Sequence, residues 1–187
     1  PNFEGSSVGI TVDSVVESHE QLTARVLDLL ERFPAGVLIE EFIVGRDLTV
    51  PFIEKALPMT AGVLEPASYE YDQAFVAGRR FQLYDFELKN VGSSAVSVHV
   101  PAVISADVRA RAIELTQKVI RALGIRDMGR VDFRVGDDGE VYFLEVNALP
   151  SLEKGAAIYA SSALAGLSTQ EAVLDAILRS AAERYGL

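Results

Sequence analysis

The residues best suited to chemistry lie between Gly129 and Pro150, in GRVDFRVGDDGEVYFLEVNALP. Two alternating runs flank Asp137-Asp138-Gly139-Glu140, and an Asp-Gly pair between such runs signals a β-hairpin. With Asp138-Gly139 as a two-residue turn, Asp132 lies across from Glu145 and Arg130 across from Asn147. Side chains alternate faces along a strand, so these four share one face. Val131, Phe133, Val135, Tyr142, Leu144 and Val146 fall on the other, which reads as a core face. Two carboxylates opposed on a sheet repel each other, so the cluster calls for a cation. Asp, Glu and Asn supply hard oxygen ligands suited to Mg2+ or Mn2+, and Mg2+ completes its shell with water and substrate phosphate. The plainer alternative is Arg130 pairing with the acids on a solvated face, without metal.

Other stretches bear on the same chemistry. In PNFEGSSVGITV, two close glycines flank Ser6 and Ser7 before an apolar run. Such a loop can wrap phosphate oxygens with backbone N–H groups and hydroxyls, although a short Gly-Ser loop is more often only a turn. Val37–Ile43 (VLIEEFI) reads as a buried strand carrying Glu40 and Glu41. Acids in an apolar strand are costly without partners, which hints at a ligand-facing edge, with one of the two facing solvent by alternation. Residues 65–97 are poorly periodic, and they contain Tyr84, Asp85, Glu87 and Lys89. Long irregular segments in compact domains are commonly functional, so an active-site lid is expected there. His19 and His99 are assigned no chemistry.

The elements that must position these residues follow from periodicity and caps. Ser18-His19-Glu20-Gln21 has capping-box spacing, and Leu22, Val26, Leu29, Leu30 and Phe33 continue as a helical stripe up to Pro34 and Gly36. Strands are expected over Asp47–Ile53 and near Ala61–Leu64. Ser105 caps a helix over Asp107–Leu123 with Val108, Ala112, Leu115 and Val119 inward. After the hairpin come a loop, a short helix and a last helix, with Ser168-Thr169-Gln170-Glu171 as its capping box and Val173, Ile177, Ala181 and Tyr185 as its stripe.

At 187 residues the chain can bury one good core, and 49% apolar content with 24% charge places it among soluble globular proteins. It has no cysteine, which excludes disulfides and thiol chemistry. No apolar run reaches membrane-spanning length and no signal-peptide pattern opens the sequence, so a cytoplasmic location is expected. The formal net charge of −10 argues against a nucleic-acid surface.

EGSSVGI, LIEEFIVGRDLTV, YDFELK, VPA and GRVDFRV…VYFLEVNALP occur in order along the chain. Together they resemble the D-alanine–D-alanine ligase branch of the ATP-grasp ligases, over essentially the whole sequence. The resemblance implies an α+β fold, the C-terminal ATP-grasp domain, with an antiparallel sheet and flanking helices. It implies an enzyme that joins two amino acids through an acyl phosphate, with ATP and Mg2+ (or Mn2+) as cofactors. D-alanine is the default substrate, and a homodimer of the full-length protein is consistent with the family. Asp132, Glu145 and Asn147 would hold metal. Arg130 and Ser7 would be catalytic. Glu40, Glu41, Ile43, Asp47, Ser6, Gly9 and Lys89 would bind ATP, with Glu40 and the backbone of Glu41 and Ile43 at adenine and Asp47 at ribose.

The sequence also departs from the family. A lysine usual before Pro1 and the N-terminal substrate region are absent, so a piece truncated on its N-terminal side, unable to turn over alone, is expected. Pro150-Ser151 replaces Pro-Gly, and Ala156 stands where a serine would grip the acceptor carboxylate. Ser151 and Lys154 are therefore candidate substrate residues, and Asn90 replaces a lid aromatic. Two alternatives follow: a related ligase for another amino acid or natural-product amide, and a non-catalytic nucleotide-binding module.

Overall fold

Long antiparallel pairing between two strands far apart in sequence organises the computed structural model, which describes residues 1–90 and 95–187. The helices are α1 (His19–Arg32), α2 (Gln73–Val76), α3 (Phe86–Asn90), α4 (Ala106–Leu123), α5 (Ala157–Leu164) and α6 (Gln170–Tyr185). The strands are β1 (Gly45–Ile53), β2 (Ala67–Tyr71), β3 (Val96–His99), β4 (Met128–Gly136) and β5 (Val141–Asn147). They form a five-stranded sheet in the order β3-β2-β1-β4-β5, and the β1–β2, β1–β4 and β4–β5 pairs are antiparallel. The chain divides into two compact units, Pro1–Val44 with Tyr71–Ser97, and Gly45–Glu70 with Val98–Leu187. Among the described residues no helix is long and apolar enough to cross a membrane.

In the second unit, alternation sorts β1 and β4 cleanly. Leu48, Val50 and Phe52 of β1 and Val131, Phe133 and Val135 of β4 point to one side, where Ala112 and Ile120 of α4 complete the core. The hydroxyl of Ser105 accepts a hydrogen bond from the Val108 N–H to cap α4, and Gly124, in the left-handed region, closes it. A second cluster of Ile53, Leu64, Ile158 and Val173 ties α5 and α6 to the far end of β1. Beyond that cluster and the buried Pro51, the opposite face of β1 and β4 carries Asp47, Thr49, Arg130, Asp132 and Arg134.

The first unit is held more by polar contacts. Ser18 caps α1 through the Gln21 N–H, while the Gln21 side chain accepts from Glu17 N–H rather than closing the expected box. Arg25 of α1 reaches Thr11 Oγ1 at 2.9 Å and Asp28 at 2.9 Å. Asp85 is buried, accepts from Leu88 N–H at the start of α3, and pairs with Arg79 at 2.7 Å.

Several expectations need correction. Val37–Ile43 forms no strand; β1 starts only at Gly45. Leu38 and Ile39 are 61% and 59% exposed, and Glu40 and Glu41 are exposed too. An apolar run becomes a strand only when a second backbone pairs with it, which the run itself cannot encode. Residues 61–64 are a turn with a lone bridge, Phe52 to Val63, because Ala61 and Gly62 sit in the left-handed region; the strand lies at β2 instead. Residues 65–97 are less irregular than expected, since they begin with β2, contain α2 and α3 and run into β3, while 91–94 of that expected lid lie outside the described residues. Thr169 rather than Ser168 caps α6, accepting from Ala172 N–H, and Tyr185 is exposed while Ser180 is buried.

The hairpin turn also differs. Gly136 N–H donates to Glu140 O, and Gly139 has φ +85°, so the connection is a three-residue loop, Asp137–Gly139, rather than a two-residue turn. The longer loop is absorbed by a register shift between Asp132 and Phe133, which leaves Leu144 as the extra residue. Phe143 therefore opposes Phe133, with ring centroids 6.3 Å apart, and Tyr142 and Leu144 leave the core face at 39% and 50% exposure.

Candidate nucleotide and metal site

Beyond the bulge the expected register holds: Arg130 pairs with Asn147 and Asp132 with Glu145. The third strand adds a residue that the hairpin could not reveal, because Thr49 on β1 lies opposite Asp132. Its hydroxyl, on a fully buried residue, donates to Asp132 Oδ1 at 2.6 Å. Arg130 donates from Nε to Oδ1 at 2.8 Å and from Nη2 to Oδ2 at 2.7 Å, a two-pronged pairing. Asn147 Nδ2 donates to Asp132 Oδ2 at 2.9 Å and to Glu145 Oε1 at 3.0 Å. Burial works to lower the pKa of Arg130, but the hydrogen bonds and charge of Asp132, with Tyr69 and Glu145 adding to them, outweigh it and raise the pKa. Arg130 is thus a permanent cation.

The same face continues one step towards the turn. Asp47 on β1 pairs with Arg134 on β4, and Arg134 Nη1 donates to Asp47 Oδ1 at 2.6 Å. Arg134 is 5% exposed. The face thus runs Arg130, Asp132, Arg134 along β4, alternating in charge, beside Thr49 and Asp47 of β1. Sequence reading missed both Thr49 and Arg134. Period-two alternation from Asp132 was sufficient to find Arg134, whereas nothing in the sequence pairs β1 with β4.

Ser6, Ser7 and Gly9 belong to the first unit. Ser6 and Ser7 have φ of 56° and 59°, and Gly9 has φ +80°. A Cβ at Gly9 would come within 2.6 Å of the Pro1 ring and 3.0 Å of Phe33, and the positive φ strains any side chain there. Two successive left-handed serines turn backbone N–H groups along one loop, a geometry suited to anions. Ser7 Oγ donates to the Tyr84 carbonyl at 3.0 Å, and Phe86 N–H donates to the Ile10 carbonyl, so this loop is joined to the start of α3. Lys89 is exposed in the last turn of α3.

The remaining candidates are less gathered. Glu40 and Glu41 are exposed and Ile43 is half-buried, all on the extended segment before β1. Ser151 is exposed and accepts from Glu153 N–H at 3.2 Å, and Lys154 is exposed. Ala156 occupies the N-cap of α5, where it offers no hydroxyl to the helix start.

The donor set fits a hard divalent cation. Asp132 is matched by one guanidinium, while among the described residues Glu145 accepts only from a neutral amide and forms no ion pair. The Glu145 charge is thus offset only by that of Arg130, without a direct ion pair, and turning the Asn147 amide over would present a third oxygen. Among the described residues no group of three or more His, Cys, Asp or Glu could hold an ion, so any metal here takes two carboxylates, an amide oxygen and ligands from water or phosphate.

Residues 1–178 match the family model described as D-ala D-ala ligase C-terminus. The chain is 32% identical over 153 residues to the D-alanine–D-alanine ligase of Aquifex aeolicus, covering 81% of this chain and 45% of that protein. It is 30% identical over 185 residues to the D-alanine–D-alanine ligase A of Mesorhizobium japonicum, covering 99% of this chain and 48% of the relative. The crystal structure of D-alanine–D-alanine ligase from Bacillus anthracis is similar in fold, with a TM-score of 0.67 at 21% identity over 88% of this chain and 49% of that one. The same ligase complexed with ATP gives a TM-score of 0.63, at 21% identity over 88% of this chain and 47% of that one. The chain spans about half the length of the curated relatives it matches. It belongs to the family of D-alanine–D-alanine ligase C-terminal domains.

Proposed function

We propose that this chain serves an ATP-dependent carboxylate–amine ligase of the D-alanine–D-alanine type. In that reaction a carboxylate oxygen of the first amino acid attacks the γ-phosphorus of ATP and ADP departs, leaving an acyl phosphate. The amine of the second amino acid then attacks the carbonyl, phosphate departs, and a proton is lost from nitrogen to form the peptide bond. Both steps gather negative charge on phosphoryl and carbonyl oxygens, which preorganised cationic and N–H groups stabilise.

The observation that carries this reading is the face on which Asp132 meets Glu145 with Arg130 and Asn147 alongside. Asp132, Glu145 and Asn147 would hold Mg2+. When bound, that ion would neutralise phosphate charge and act as a Lewis acid. Arg130, fixed by Asp132, would hold the developing oxyanion. Ser6, Ser7 and Gly9 would bind phosphate oxygens, with Ser7 also acting at the reacting group, and Lys89 would add a cation there. Glu40, Glu41 and Ile43 would bind adenine, and Asp47 the ribose. A cytoplasmic location, where ATP is made, goes with this reading.

The test is phosphate release by the protein carrying this chain, given ATP, Mg2+ and D-alanine. Arg130→Met is expected to lower kcat by about 10²–10³-fold, the usual loss for one oxyanion-stabilising donor. Amino-acid-independent phosphate release, or an unchanged rate in the variant, would sink the proposal. A second reading, another amino acid as acceptor, is favoured by Ala156 at the cap of α5 and by Ser151 facing its own backbone. A panel of D- and L-amino acids separates the two.

A further inference from the structure

Arg134 has no place in the reading so far, yet it is the most deeply buried cation on the site-facing side of the sheet, at 5% exposure. Its Nη1 donates to Asp47 Oδ1 at 2.6 Å, and the two residues are direct cross-strand neighbours on β1 and β4. Stability alone is a poor reason for such a pair. Removing two charges from water costs about as much as their attraction returns, and apolar residues of similar size commonly do as well. The opposite side of the same strands is filled with Leu48, Val50, Phe133 and Val135, so an apolar pair was available to this fold.

What the pair does supply is orientation. A lone aspartate on a strand rotates about two bonds, and hydrogen-bond discrimination between ligands requires an acceptor held in place. With Oδ1 bound to a buried guanidinium, that oxygen of Asp47 is held on the face that carries Asp132, two residues from Arg134 along β4. We propose that Arg134 is a positioning residue that fixes Asp47 so that its carboxylate discriminates the sugar hydroxyls of the bound nucleotide. This rests on the proposed nucleotide reading and extends it to a residue whose effect is on sugar specificity rather than on phosphate transfer.

The experiment compares binding of a non-hydrolysable ATP analogue and its 2′- and 3′-deoxy counterparts, with Mg2+, by calorimetry. The proteins are the unaltered one, Asp47→Asn, Arg134→Met, Arg134→Lys and the Asp47→Asn/Arg134→Met pair. The unaltered protein is expected to prefer the ribose form over at least one deoxy form by about tenfold or more, the discrimination of one hydrogen bond to a charged group. Arg134→Met is expected to bring that ratio to within about twofold of unity, as Asp47→Asn does, and the double variant to go no further, the mark of two residues acting as one. Arg134→Lys keeps a cation beside Asp47, so it retains part of the preference and keeps the test open if Arg134→Met does not fold. A ribose preference unchanged in Arg134→Met, or equally lost in the folded Arg134→Lys and Arg134→Met, overturns the positioning role alone. No nucleotide binding by the unaltered protein overturns the parent reading, and this inference with it.

Discussion

Asp132 is the residue on which the site converges, because donors reach it from three strands: Thr49 on β1, Arg130 on β4 and Asn147 on β5. A carboxylate so surrounded cannot rotate, so it presents the same edges to whatever binds. Thr49→Val removes one donor while keeping the shape, and is expected to destabilise the fold by about 1.5–3 kcal/mol, as for a hydrogen bond to a charged group. Urea unfolding checks this, and an unchanged midpoint would show that Thr49 is incidental. A second carboxylate, Asp127, links α6 to the start of β4. The Arg184 hydrogen bond holds its pKa below the ordinary range; burial opposes this, and Ser180 adds to the lowering. A folded pKa below the unfolded one contributes stability that is present above about pH 4 and lost as pH falls through the folded value. Unfolding midpoints between pH 6 and pH 2 are expected to fall, and Asp127→Asn to flatten that slope. An equal slope in the variant contradicts the assignment.

The pairing of β1 with β4 is the element on which the site depends, and one glycine secures its end. Gly45 has φ +155°, and a Cβ there would lie 2.0 Å from the Val135 carbonyl oxygen. Gly45→Ala is expected to cost about 2–5 kcal/mol from backbone strain and overpacking, read by thermal unfolding. A loss below that range would mean the strand end shifts freely. The hairpin was legible in the sequence because alternation with period two and Asp138-Gly139 mark its strands and the place of its turn, though not the three-residue length of that turn. Its bulge was not, since one extra residue at Leu144 leaves no trace in composition. Val37–Ile43 illustrates the reverse error: its apolar pattern matches a strand, but the pattern carries no information about a partner. Caps were read to within one residue, as Ser168 and Thr169 are chemically interchangeable there and only the backbone geometry selects Thr169.

At the scale of the whole molecule, a chain of net charge −10 is proposed to bind a polyanion. Long-range electrostatics oppose that binding, so local cations must supply the attraction. Arg130 and Arg134 are each paired with an acid, so the proposed divalent ion beside Glu145 would be the group that turns this face attractive to phosphate. The family of the chain was legible from ordered motifs, whereas the division into two units was not, because the first unit gathers residues from either side of β1. The most direct measurement is calorimetry of this chain with a non-hydrolysable ATP analogue, with and without Mg2+, beside Asp132→Ala/Glu145→Ala. The account predicts binding that requires Mg2+ and is lost in the double variant. Binding that is equally strong without Mg2+, or that survives the double substitution, would contradict it.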